Sequence, residues 1–154
     1  MHCIDILNQN RKLVHSAVST LASQEFMTIP PGFDNNIAWN LGHILVVQQL
    51  LHYRLSGLEL YVTSDQVGMF KTGTSPTDWS VEPDVEQWVD LLDTLAQRLD
   101  TDYQEGKFRN FKPYTTSTGI HLTTLEDALT FNNFHEGLHF GFILALKNLV
   151  VSSG

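Results

Sequence analysis

The stretch TLEDALTFNNFHEGLHFGFILALKNLV, residues 124–150, decides the fold because it is a long segment with helical periodicity. Its first four residues resemble a helix-capping box, with Asp127 in the N3 position. Apolar residues then recur at three- and four-residue spacing, which predicts a helix up to about Val150 with one face in a core. The predicted buried stripe contains Ala128, Phe131, Leu138, Phe142, Ile143 and Leu146.

Three further segments have the same periodicity. They cover about residues 4–23, the region from Asp34 or Asn35 to about Gly57, and the region from about residue 80 to Gly106. An amphipathic helix needs partners for its apolar stripe. We therefore predict an all-α fold, a four-helix bundle that forms one domain over residues 1–154.

The second and third helices, and the third and fourth, are joined by unusually long connections. These connections, residues 58–79 and 107–123, are rich in Gly, Pro, Ser and Thr, and loops of that length are often functional. Within the second connection, residues 114–122 fit a short extended or hairpin piece.

Composition excludes several classes of protein. The chain has 154 residues and a net charge of −8 without a Lys/Arg cluster, which argues against nucleic-acid binding. The longest uncharged apolar stretch, residues 140–146, is too short to span a bilayer, so no membrane association is expected. Cys3 is the one cysteine and no signal peptide is recognisable, which indicates a cytoplasmic protein. Neutral or cationic small-molecule partners remain compatible with all of this.

The sequence HEGLH, residues 135–139, carries the clearest chemical signal. On a helix, His135 and His139 share one face and can reach one divalent metal ion, while Glu136 points sideways. The same letters form the zincin protease signature. A zincin needs a third ligand, usually downstream, but no His, Asp, Glu or Cys follows His139. Proteolysis is therefore disfavoured, and a third protein ligand must come from upstream.

His43 is the best upstream candidate because it shares a helical stripe with Trp39, Val47 and Leu50. Three imidazoles on the apolar faces of two helices favour one shared metal site over separate hydrogen-bonded roles, in the three-His-plus-water pattern of catalytic zinc sites. His52 lies about half a turn away from His43, so it is expected to face solvent. The remaining histidines are expected at the surface or in loops, with His121 near the pocket mouth: His2, His15 and His121.

Glu136 has three possible roles at this stage. It lies roughly 100° from His135 and 60° from His139 around the helix. It is a candidate catalytic residue as a general base, an outer-shell acceptor for a ligand, or a solvated helix residue. Imidazole ligands do not fix the metal either, because they suit Zn, Ni, Fe and Cu.

The sequences NIAWNLGH, residues 36–43, and FHEGLHFG, residues 134–141, resemble the DinB/YfiT-like superfamily of metal-dependent four-helix bundle proteins. The resemblance spans nearly the whole chain in the same helix order and includes the linker around residues 70–76. It implies an up-down-down-up bundle with one divalent metal ion, often Ni or Zn, held by His43, His135 and His139. It also implies a homodimer.

The functional implications of the resemblance are broader. Many members have an Arg-Gly-Gln run where this chain has Phe140-Gly141-Phe142, so no member's activity can be copied directly. Characterised relatives include thiol-dependent transferases and a maleylpyruvate isomerase. The resemblance implies a metal-dependent transferase of the S-transferase type, or a hydrolase, that acts on a small molecule. A low-molecular-weight thiol is the expected cosubstrate, since a metal ion can supply the thiolate. The alternative is a non-catalytic metal- or ligand-binding stress-response protein.

Overall fold

The computed structural model describes residues 3–152, so the position of His2 lies outside it. The helices are α1 Cys3–Val18, α2 Ser23–Met27, α3 Ile37–Gln48, α4 Ser64–Phe70, α5 Val85–Gln104 and α6 Leu125–Ser152. A π-helical segment, Gln49–Arg54, continues α3, and a 3-10 turn covers Pro76–Asp78. Strands β1 Tyr114–Thr115 and β2 His121–Leu122 pair antiparallel.

The predicted all-α fold is confirmed, with α1, α3, α5 and α6 as the four long helices. The expected hairpin is present, with Tyr114 opposite Leu122. The first helix is shorter than predicted, because α1 ends at Val18 and α2 begins separately at Ser23. None of the helices between residues 3 and 152 has the length and apolarity that crossing a bilayer requires.

Helix α4 lies inside a connection that the sequence predicts as a loop. Its signal is a capping box, in which the Thr63 hydroxyl accepts from the Gln66 N–H and the Gln66 side chain accepts from the Thr63 N–H. Helix α4 packs on α3 at Gly42, where a Cβ atom would overlap the Phe70 ring. Glycine at position 42 therefore allows the close approach that places Phe70 beside α3.

Helix α3 is the central helix of the bundle. Every residue from Ile37 to Gln48 is buried, and α2, α4, α5 and α6 pack around it. The sequence explains this position, because a helix that is apolar on all sides requires burial on all sides. The helix begins at Asn36, whose side-chain oxygen accepts from the Trp39 N–H at 2.8 Å.

The prediction that His52 faces solvent is wrong, because its side chain is completely buried. The first reason is that the sides of α3 are covered by neighbouring helices, so opposite faces of this helix are both interior. The second is the π-helical segment from Gln49, in which each residue turns by less than in an α-helix. His52 therefore lies at a different angle from the one that α-helical periodicity predicts.

The predicted apolar stripe of α6 is partly wrong. Ala128, Ile143 and Leu146 are fully buried, but Leu138 and Phe142 are 50% and 49% exposed. The buried face is rotated towards two polar residues, Asn132 and Glu136, both 0% exposed. The prediction from hydrophobic periodicity placed the buried face of α6 incorrectly, because it assigns polar residues such as Asn132 and Glu136 to the solvent-exposed face.

Candidate metal centre

The structure brings together the three histidines that the sequence predicts as ligands. His43 comes from α3, and His135 and His139 come from α6. One ring nitrogen from each lies within 4.8 Å of the others, so the three could hold a metal ion. The Nε2 atoms of His43 and His135 are 3.2 Å apart.

The orientation of His43 is set by a backbone carbonyl. Its Nδ1 lies 2.6 Å from the Phe70 oxygen, and a carbonyl oxygen only accepts hydrogen bonds. In the neutral ring the proton is therefore on Nδ1, and the Nε2 lone pair faces His135. Trp39 stacks on the ring, with centroids 4.5 Å apart and planes 13° from parallel, which restricts ring rotation.

Asn40 sets the orientation of the His139 ring. This role of Asn40 is not predicted from the sequence. Its amide nitrogen donates to the Asn36 carbonyl and the Asn35 side chain, at 2.8 and 2.9 Å. The amide oxygen is thus left to accept from His139 Nδ1 at 2.7 Å. Asn40 lies three residues before His43, so the two share a helix face; this spacing is the signal that could have revealed it.

The contact between His135 and His43 is the clearest sign that a cation fits this site. The other ring nitrogen of His135, Nδ1, is buried and has no hydrogen-bond partner among residues 3–152. Its Nε2 faces the lone pair of His43, so the contact needs a proton or a cation between the two nitrogens. Zinc binds imidazole nitrogen at about 2.0–2.1 Å, so two nitrogens that are 3.2 Å apart can share one ion. The all-imidazole donor set fits Zn or Ni.

Burial favours the uncharged form of the three histidines. Desolvation lowers the pKa of His43, although the Phe70 carbonyl opposes the shift. Desolvation and the neighbouring His43 lower the pKa of His135 to about 4. For His139, desolvation and both other histidines lower the pKa to about 3. Neutral imidazoles bind metal without first losing a proton.

Glu136 is turned into the interior and is held by an ion pair with Arg11 of α1. Arg11 donates from Nε to Oε2 at 2.8 Å and from Nη2 to Oε1 at 2.7 Å. Asn132 adds a third donor to Oε1 at 2.8 Å. The two charged side chains are 1% and 0% exposed, so Glu136 is not a solvated helix residue.

Arg11 is not predicted from the sequence. The available signal is its place in the apolar stripe of α1, between Leu7 and Val14, both of which are buried. A charged residue in such a stripe requires a buried partner.

Aromatic side chains line the outer edge of the histidine cluster. The Phe131 ring lies 6.2 Å from the His135 ring at an interplanar angle of 26°, and the Phe142 ring lies 6.4 Å from that of His139. His135 and His139 are only partly buried, so the cluster is reachable from the surface. His121 is apart from it: this exposed residue of β2 contacts the Thr115 hydroxyl at 3.0 Å. His15 is exposed on α1, as predicted.

Helices α3 and α6 of the all-α bundle thus bring three histidines together. The protein is therefore a helical bundle with a candidate metal centre. The family model of the DinB superfamily matches residues 6–143, which include all three histidines. The chain belongs to the DinB superfamily, which confirms the resemblance found in its sequence. A search of curated proteins gives no match.

Proposed function

We propose that this chain binds one divalent metal ion, Ni or Zn, through His43, His135 and His139, and acts as a metal-dependent transferase on a small molecule. A low-molecular-weight thiol is the proposed cosubstrate. The observation that carries the proposal is the convergence of three neutral imidazoles within 4.8 Å, with His43 and His139 each fixed through Nδ1.

The protein's own groups prepare this site. Phe70 and Asn40 hold the two ligand rings in the tautomer that leaves Nε2 unprotonated. Trp39 packs one ring, and Phe131 and Phe142 provide apolar surface at the entrance. A divalent ion held by His43, His135 and His139 would keep its full charge, because the three ligands are neutral, and would supply a thiolate near neutral pH by lowering the pKa of a cosubstrate thiol.

One observation favours a thiol-dependent transferase over a hydrolase. A hydrolase would need a general base within reach of a metal-bound water. The Glu136 carboxylate already accepts three hydrogen bonds from Arg11 and Asn132, so we propose that it positions α6. The chain's single cysteine, Cys3, contacts Thr130 and is not in the histidine cluster, so the thiol must come from a cosubstrate.

The test begins with elemental analysis of protein purified without chelator. A thiol-conjugation assay follows, with a panel of electrophiles and low-molecular-weight thiols. We expect turnover that requires both metal and thiol and that is lost in His43→Ala. His121→Ala is the matched control, because this exposed histidine lies outside the cluster.

Two outcomes would contradict the transferase. Stoichiometric metal without turnover would favour the metal-binding stress-response protein. Thiol-independent hydrolysis that falls by about 10²- to 10⁴-fold in Glu136→Gln, with metal retained, would make Glu136 the general base of a hydrolase.

We also propose a homodimer that forms through the exposed face of α6. Phe134, Leu138 and Phe142 follow one another at four-residue spacing and are 53%, 50% and 49% exposed. Two chains of net charge −8 repel each other, and this uncharged apolar face is where they can approach. Phe134→Glu should shift the protein to monomer in light scattering. The control Leu144→Glu, on another face of α6 and 40% exposed, should leave the dimer intact; equal effects would exclude this interface.

A further inference from the structure

A small cavity of about 230 Å³ lies along α3 and its π-helical continuation. Its lining includes Val47, Leu50, Leu51, Arg54, Thr72 and Tyr114. Val47 and Leu50 are one and two turns from His43 on the same helix face. Phe131, which stacks on His135, packs against the apolar cluster that contains Val47 and Leu51. The cavity therefore begins one helical turn from His43, and none of the three histidines lines it.

Arg54 gives this cavity a charged end. The side chain is exposed and forms no ion pair within residues 3–152. By comparison, Arg11 is paired with Glu136, and Arg98 lies over the Tyr61 ring at 5.5 Å. Among the nine basic residues, Arg11 and Lys107 alone form ion pairs within residues 3–152, so Arg54 shares its lack of an acidic partner with most of the others.

The remaining lining residues define the chemistry of a ligand. The Thr72 and Tyr114 hydroxyls can donate hydrogen bonds to a group held by Arg54, while Val47, Leu50 and Leu51 offer apolar surface. A guanidinium with nearby hydroxyl donors suits a carboxylate, which accepts paired hydrogen bonds from arginine. The volume is below the roughly 300–1,000 Å³ of drug-sized sites, so the ligand is small.

Resting on the proposed function, we infer that the substrate of the metal centre is a small apolar carboxylate. Arg54 holds the carboxylate, the α3 side chains pack the apolar body, and the reactive end extends towards His43 and His135. From His43 to Arg54 the helix rises by roughly 15 Å, which gives the scale of the distance between the two ends of the ligand.

The test compares two probes of equal apolar length, octanoate and octanol, by calorimetry on the zinc-loaded protein. We expect octanoate to bind more tightly than octanol. Arg54→Gln should weaken octanoate binding by about five- to twentyfold and leave octanol unchanged. Arg54→Lys should retain part of the preference. The control Arg109→Gln, at an exposed arginine that lines a different cavity, should change neither.

Zinc content measured in the same samples separates this inference from the proposed function. Full zinc loading without an Arg54-dependent preference for octanoate overturns the substrate class and leaves the metal centre intact. Arg54-dependent octanoate binding in a protein that takes up no zinc supports the carboxylate site and overturns the metal proposal instead.

Discussion

His135 and Glu136 are neighbours in the sequence, yet they belong to two polar clusters of opposite character. The histidine cluster lies at the edge of the core, is partly exposed, and leaves His135 Nδ1 without a partner in the described chain. The Arg11–Glu136 cluster lies in the interior, and its carboxylate accepts three hydrogen bonds. Ring nitrogens that converge at the edge mark a place for a ligand, whereas the paired charges of Arg11 and Glu136 hold two helices together, with Arg11 Nη1 and Asn132 Oδ1 left without a partner in the described residues.

The Arg11–Glu136 cluster influences the histidine cluster through the rotation of α6 about its own axis. Neighbouring residues on a helix differ by about 100° in direction, so the rotation that brings Glu136 to Arg11 also turns His135 and His139 towards α3. A buried ion pair contributes little net stability compared with apolar side chains, but breaking one is costly. We therefore expect the pair to select one rotation of α6.

Removal of one histidine from the open cluster should have the largest effect on zinc binding. Changes in the residues around a metal ligand cost about 10- to 100-fold in affinity, so His43→Ala should weaken zinc binding by more than about 100-fold. Competition titration with a chelating dye measures this. Full zinc occupancy in His43→Ala would show that His135 and His139 bind with another partner.

Breaking the interior pair should destabilise the fold. Glu136→Ala leaves Arg11 buried and unpaired, so we expect the free energy of unfolding in urea to fall by about 3–5 kcal/mol. The double variant Arg11→Met with Glu136→Leu should recover most of that loss. A loss below about 1 kcal/mol for Glu136→Ala would mean that the pair does not hold α6.

A third interior residue, His52, should make stability depend on pH. Desolvation lowers its pKa to about 3 in the fold, below the unfolded value of about 6.5, so the folded state binds fewer protons. Its contribution is complete above pH 6.5 and is lost as the pH falls towards 3. Between pH 7 and 5, metal-free wild type should lose about 2 kcal/mol more than His52→Leu. Equal losses in urea unfolding would contradict this, since the ligand histidines contribute equally to both proteins.

The smallest effect should come from removing the side chain that orients His139. Asn40→Ala removes the acceptor for His139 Nδ1 and should weaken zinc binding by about tenfold. Asn35→Ala, which removes a partner of Asn40 but not the contact with His139, is the control. Equal zinc affinities for Asn40→Ala and wild type would show that His139 is oriented by other contacts.

The sequence predicts the four long helices and the pair His135 and His139 because both depend on local spacing, and it predicts His43 beside them because all three lie on apolar helix faces. It does not predict Arg11 as the partner of Glu136, since the two lie 125 residues apart and neither position carries a local signal for the other. The same pair explains why Leu138 and Phe142 are misplaced: polar residues occupy the centre of the buried face. His52 is misplaced because a π-helical segment changes the angle per residue, and helix periodicity contains no sign of it.

The acceptors that orient His43 and His139 differ in what mutation can do to them. Asn40 contributes an amide that one codon change can remove. Phe70 contributes its main-chain oxygen, which every amino acid at that position would also carry. Laboratory evolution should therefore tolerate changes at position 70 that keep α4 packed on Gly42, while position 40 should vary less under selection for metal binding. Random mutagenesis would thus readily remove the hydrogen bond between Asn40 and His139. It would not remove the acceptor of His43, because that acceptor is a main-chain carbonyl oxygen.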